Sequence, residues 1–125
     1  MTPTILPLLL LLIALLPPAT SLRARIDPST NTFRSSSGSQ LIFHGINSVG
    51  KQAFEVLTDG QMDVMVAAGF NVVRLGFSWD LYETQPNVYN DTYLLEVNDV
   101  IRRLGERRIY SFIDMHQDVY AKQYW

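Results

Sequence analysis

The chain has 125 residues, 47% of them hydrophobic and 18% charged, with a formal net charge of −2. That length holds one globular unit at most, and the charge leaves no basic field for nucleic acid and no polybasic run for a membrane surface. Cysteine is absent, which excludes a disulfide framework and a thiolate zinc site.

The first feature in chain order is the apolar run ILPLLLLLIALL at residues 5–16, followed by PPATSL. The run is too short to cross a hydrocarbon core of about 30 Å as a helix, and Pro7 interrupts it. Ala19 and Ser21 are small residues at the −3 and −1 positions of a cleavage after Ser21, so residues 1–21 read as a secretory signal peptide. Residues 1–4 bring no lysine or arginine to this segment, and an uncleaved anchor is the alternative. A secreted or lumenal location is expected. The triplet Asn90-Asp91-Thr92 fits an N-glycosylation acceptor and falls where a loop should meet a helix, so Asn90 is expected to be exposed.

Past the signal, STNTFRSSSGSQLIFHGIN reads as strand, turn, strand, with Gly38 supplying the turn. This marks residues 22–40 as an N-terminal hairpin region. After a loop, Thr58 is placed as a helix N-cap with Gln61 as its capping-box partner, and Gly69 is placed to end the helix. FNVVRLGFSW reads as a second strand and DLYETQPNVY as a loop. A second helix starts near Asn90 or Asp91, with Leu94, Val97, Ile101 and Leu104 on one face. Arg102, Arg103 and Arg107 read as its solvated face, in the later turns where cations suit the helix dipole. RIYSFIDMHQD is the third strand. Alternating strands and helices of this kind indicate an α/β fold with a parallel sheet and right-handed crossovers. A parallel sheet needs both faces covered, and no helix follows the third strand, so the chain reads as the first portion of a larger unit.

Alternation sorts the two later strands into faces. Val73, Leu75 and Phe77 oppose Val72, Arg74, Gly76 and Ser78, and Ile109, Ser111, Ile113 and Met115 oppose Tyr110, Phe112, Asp114 and His116. One face of each strand turns polar at its C-terminal end, which is where parallel barrels place their active sites. Arg74 is either on an accessible edge or buried with a carboxylate partner, since an unpaired buried arginine is costly. Asp114 and His116 fit an active-site pair and equally a helix-capping pair, and Asp118 reads as a loop or cap residue. His44 points away from Gly45 and Asn47 and reads as structural, and Lys51 by itself reads as solvated. Met62, Met65 and Met115 read as core filling. The two histidines, His44 and His116, have no metal-ligand spacing. No dinucleotide, Walker or nucleophile-elbow motif is present, and no cofactor or metal is expected.

At FHGIN, NVVRLGFSW, VYNDTYL and DMHQDVY the sequence resembles glycoside hydrolase family 5, and within it the endoglycoceramidases, almost without gaps from about Leu41 to Tyr120. The resemblance implies that residues 41–125 are the N-terminal part of a (β/α)8 TIM barrel, about three β/α units, cut after the third strand. It implies a retaining O-glycosyl hydrolase that cleaves between oligosaccharide and ceramide in glycosphingolipids, in transient contact with a membrane surface through its lipid substrate. Arg74 matches the arginine that supports the nucleophilic carboxylate, and His116 the histidine of the active site. Lys51, Asp114 and His116 match positions that contact sugar hydroxyls. Three turns depart from the family pattern. Residues 35–39 keep only Gly38 of Asp-x-x-Gly-Arg, Asn87 stands where glycine is usual, and Arg108 replaces another glycine.

Retaining hydrolysis uses two carboxylates about 5–5.5 Å apart, and the family takes them from the ends of strands four and seven. No catalytic carboxylate is therefore expected in these 125 residues, and the chain alone is expected to be inactive. Two other readings remain: a family 5 hydrolase acting on another β-glucoside or glucan, and a truncated, non-catalytic carbohydrate-binding product.

Overall fold

The computed structural model describes residues 22–50 and 57–116. The expectations for the signal peptide, Lys51 and Asp118 lie outside these residues. The first element is an antiparallel sheet of β1 (Ala24–Asp27), β2 (Thr32–Ser35) and β3 (Gln40–Leu41), in that order. Its first turn is closed by Asp27, whose carboxylate accepts the Ser29 N–H at 3.0 Å, the Ser29 hydroxyl at 2.6 Å and Arg34 Nε at 2.9 Å. Gly38 takes φ +88° in the second turn, a conformation that costs glycine little. Two expectations are corrected. The hairpin has a third strand, β1, whose charged Arg25 and Asp27 hid it from a reading based on apolar residues. LIFHGIN is not one strand: Leu41 ends β3, and Gly45 begins β4 (Gly45–Ser48) in a different sheet. A Cβ on Gly45 would fall 1.7 Å from the Val72 carbonyl oxygen, so β4 approaches its neighbour there only because the position is glycine.

The second sheet is parallel, in the order β4, β5 (Val72–Phe77) and β8 (Tyr110–Met115). Helix α1 (Asp59–Ala67) connects the first pair and α3 (Asp91–Glu106) lies between the second. The segment expected as a plain loop holds a short helix, α2 (Trp79–Tyr82), and a small hairpin of β6 (Glu83–Gln85) and β7 (Val88–Tyr89). Asn87 makes the hairpin turn at φ +63°, with its N–H donating to Glu83 Oε1 at 2.7 Å. Asparagine enters this region more readily than most residues.

Both long helices are bounded by local chemistry. At α1 the Thr58 hydroxyl accepts the Gln61 N–H and Gln61 Oε1 accepts the Thr58 N–H, completing the expected capping box. Its last turn closes with Gly69 N–H on the Val66 carbonyl and Phe70 N–H on the Met65 carbonyl, with Gly69 at φ +78°. That is the Schellman arrangement. The end of α3 repeats it, with Arg108 N–H on Gly105 and Ile109 N–H on Leu104, but here the left-handed residue is Arg108 at φ +62°.

The core lies between one face of the parallel sheet and these helices. Leu57, Met62, Met65, Val73, Leu75, Val100, Leu104 and Ile109 form one cluster, and Phe77, Tyr93 and Val97 a second. The buried stripe of α3 is Tyr93, Val97, Val100 and Leu104, with Leu94 and Ile101 half-buried. The helix is thus rotated from the expected stripe, and the reason is Tyr93. Its ring packs on Phe77, and its hydroxyl accepts the Ser78 N–H at 3.0 Å. Met62 and Met65 are core, as expected, whereas Met115, on the last strand of the described sheet, is 53% exposed. The arginines are also reassigned. Arg102 is exposed, but Arg103 and Arg107 are largely covered and cross to α1. Arg103 binds Asp59 and Asp99 at 3.3 and 2.8 Å, and Arg107 binds Asp63 and Asp59 at 2.7 and 3.1 Å.

Candidate active site

The opposite face of the parallel sheet carries the polar groups. Along β5 the side chains alternate, with Val73, Leu75 and Phe77 buried beneath the helices and Val72, Arg74 and Gly76 on the other side. The register of β5 with β8 sets Arg74 beside Phe112 and Gly76 beside Asp114. The Arg74 guanidinium reaches diagonally past Gly76 to Asp114, and Nη2 donates to Oδ2 at 2.5 Å. His116 Nδ1 lies 3.1 Å from the same oxygen. Its backbone N–H donates to the Phe77 carbonyl at 2.9 Å, so the residue is held just past the strand end. Gly76 has no side chain to intervene, and a Cβ there would stand 3.0 Å from Val49 Cγ1.

This geometry decides between the alternatives left open for Arg74. Arg74 lies on the central strand of its sheet, with a carboxylate partner, and not on an edge. Asp114 and His116 bind each other, and Asp114 binds Arg74 on the neighbouring strand. Their side chains keep 26% and 32% exposure, and Arg74 keeps 30%. At that exposure solvent screens the ion pair, and its contribution to stability is small. Its worth is geometric.

The reading of the sequence passed over Asn47, which is in register with Arg74 on the other neighbouring strand and so shares this face. The alternation of β4, with Ile46 and Ser48 on the core side, was the signal that could have found it. His44 lies elsewhere, with its ring edge-on to Phe70 at 4.7 Å and its N–H on Asn71 Oδ1. Asn90 is half-buried: its Oδ1 accepts the Tyr93 N–H at 3.2 Å and its Nδ2 donates to the Leu81 carbonyl at 3.4 Å. The junction of loop and helix is as expected, but the acceptor amide is the N-cap of α3 and not a free surface group. Among the described residues no group of three or more His, Cys, Asp or Glu side chains is placed to hold a metal ion.

A fixed cation, a carboxylate and an imidazole at the C-terminal ends of parallel strands can hold the hydroxyls of a sugar. They cannot by themselves flank a glycosidic bond, because Asp114 and its partners approach from one side.

Comparison with known proteins bears on the family and the fold. The chain is 36% identical over 90 residues to endoglycoceramidase I of Rhodococcus hoagii, covering 68% of this chain and 18% of that protein. It is 29% identical over 109 residues to an endoglycoceramidase of Hydra vulgaris, covering 79% and 21% respectively. The chain therefore spans about a fifth of the length of the curated relatives it matches. Among solved structures, endo-glycoceramidase II from Rhodococcus sp. superposes with a TM-score of 0.62 at 32% identity, over 71% of this chain and 22% of that one. An exo-beta-1,4-mannosidase from Opitutaceae bacterium strain TAV5 superposes with a TM-score of 0.63 at 27% identity, over 74% and 18%. The family model described as Cellulase (glycosyl hydrolase family 5) matches residues 29–125. With that match over most of its length, and with the parallel strands and their polar ends in place, the chain belongs to glycosyl hydrolase family 5 and is similar within it to the endoglycoceramidases.

Proposed function

We propose that the whole protein is a retaining β-glycosidase that cleaves the bond between oligosaccharide and ceramide in glycosphingolipids. The observation that carries this reading is the convergence of Arg74, Asp114 and His116 at the strand ends, in a chain whose relatives include endoglycoceramidases. One solved structure of the Rhodococcus sp. enzyme is a complex with ganglioside GM3, and a ganglioside of that kind is the substrate class proposed here. In this reading the three parallel strands open a (β/α)8 barrel. The described site is its sugar-holding part, and Lys51 adds a further contact to a sugar hydroxyl. The acid/base and nucleophile come from later strands of the complete barrel, so residues 1–125 alone are inactive.

The secretory reading of residues 1–21 belongs to the same proposal. The protein would enter the lumen, lose its leader and meet glycolipid at a membrane surface.

The test is to express the complete coding sequence and incubate the product with GM3 in detergent micelles. Release of intact oligosaccharide and ceramide, with the sugar first appearing as the β-anomer, supports the proposal; no cleavage, or a product that first appears inverted, overturns it. The likeness to an exo-mannosidase, as strong in fold as that to the endoglycoceramidase, favours a second reading as a family 5 enzyme on another β-glycoside. Release of single sugars from simple β-glycosides, with GM3 untouched, would establish that reading instead.

A further inference from the structure

We propose that Asp114 is a positioning residue that fixes the tautomer of His116, so that His116 meets the sugar as a hydrogen-bond acceptor. This rests on the glycosidase reading and adds to it the direction of one hydrogen bond.

One oxygen carries the argument. Asp114 Oδ2 lies 2.5 Å from Arg74 Nη2 and 3.1 Å from His116 Nδ1. A guanidinium only donates and a carboxylate only accepts. The group on Nδ1 facing that oxygen must therefore be N–H. In a neutral imidazole the second nitrogen, Nε2, is then left with its lone pair. A ring whose Nδ1 is tied in this way has its Nε2 chemistry set by the tie, as in the histidines of metal sites and triads.

The strand pairing builds this device. Asp114 is opposite Gly76, which leaves room for Arg74 to reach it from two residues earlier on β5. The His116 backbone is held by the Phe77 carbonyl, which sets the ring's approach from the strand end. Arg74 is the charged group that β5 turns toward the pair, and the residue in register with it on β4, Asn47, is neutral. Arg74 and His116 together occupy Oδ2, so this oxygen acts on the sugar through His116. The family resemblance gives Asp114 a direct sugar contact, whereas the geometry assigns its Oδ2 to the arginine and the imidazole.

A hydroxyl can donate or accept, so an acceptor on the protein uses the hydroxyl's proton. Replacing that hydroxyl by fluorine removes the donor and keeps a weak acceptor. Replacing it by hydrogen removes both. If His116 accepts, the two replacements should cost the same.

The experiment uses the complete protein with 15N-labelled histidine, at a pH where the His116 ring is neutral. The signal that His116→Gln removes is followed in two-bond proton–nitrogen correlation spectra. A pyrrole-type Nδ1 with a pyridine-type Nε2 is expected, with the pattern lost or averaged in Asp114→Ala. A pyridine-type Nδ1 in the unaltered protein overturns the proposal, and this measurement needs no activity. Kinetics then follow on aryl β-lactosides in which single hydroxyls are replaced by hydrogen or fluorine. At one position both replacements should lower kcat/KM by about 10- to 100-fold, as for a hydrogen bond to a well-placed partner, and His116→Gln should remove that sensitivity. A fluoro-sugar that keeps its activity where the deoxy-sugar loses it overturns the acceptor role. If no glycoside or glycolipid is cleaved at all, the glycosidase reading fails, while the spectra still decide the tautomer.

Discussion

The two faces of the parallel sheet differ in what they do with the same backbone. On one, Val73 and Leu75 are wholly buried against Met62, Val100 and Leu104. On the other, Arg74 and Asp114 remain about a quarter to a third exposed, and Phe112 is half-exposed. Successive residues of one strand thus divide the work, the odd numbers of β5 holding the fold and Arg74 holding the site. Stability and recognition should separate when the two faces are altered one at a time.

The largest effect is expected on the covered face. Leu75→Ala removes a fully buried side chain and should lower stability by about 2–5 kcal/mol, read from the denaturant midpoint of the complete protein. A loss under about 1 kcal/mol would mean that the helices do not hold this face as described. On the open face, Asp114→Asn should leave that midpoint nearly unchanged while lowering kcat/KM on a glycolipid by about 10- to 100-fold, the cost of weakening a charge-assisted hydrogen bond. Equal damage to stability and activity would erase the division between the faces.

Smaller effects lie at the edges of the covered face. Arg108 holds a left-handed conformation that costs a side-chain-bearing residue about 1–2 kcal/mol. Arg108→Gly should recover part of this, about 0.5–1 kcal/mol after glycine's greater freedom in the unfolded chain is counted. The equivalent change in α1 has already been made by nature, at Gly69. A thermal melt that fails to rise for Arg108→Gly would show that the arginine side chain contributes packing at this turn.

The smallest effect concerns acid. The Ser29 hydroxyl and N–H hold the Asp27 carboxyl well below the usual carboxylate range, against the opposing effect of desolvation and with a lesser contribution from the Arg34 guanidinium. A carboxyl lowered in the folded state stabilises it above the unfolded value of about 3.9 and loses that contribution as pH falls further. Asp27→Asn should therefore lower stability at neutral pH and leave it little altered at the acid end, which flattens the limb below about pH 4. Urea midpoints between pH 2 and pH 6 would reveal it, and an unchanged acid limb would mean that the turn is already open in the folded state.

Much of this was written locally. The capping box of Thr58 and Gln61 and the stop at Gly69 involve residues three or four apart, so their partners are visible in the sequence itself. The alternation of β5 is equally local, and it placed Arg74 on the correct face before any neighbour was known. The stripe of α3 was not so determined. Leu94 and Ile101 have the same spacing as Tyr93 and Val100, and the choice depended on where Phe77 and the Ser78 N–H end at the strand. Arg103 and Arg107 are likewise indistinguishable from solvated residues until α1 brings Asp59 and Asp63 beside them.

By itself, then, the sequence determined the order of the two later parallel strands and the two long helices, the ends of α1, and the polar end of each later strand, because periodicity and capping act within a few residues. Tertiary structure decided the break between β3 and β4, the rotation of α3, and the union of Arg74, Asp114 and His116 on one oxygen. Those depend on the register between strands tens of residues apart, and the chain specifies that register only once its strands are paired.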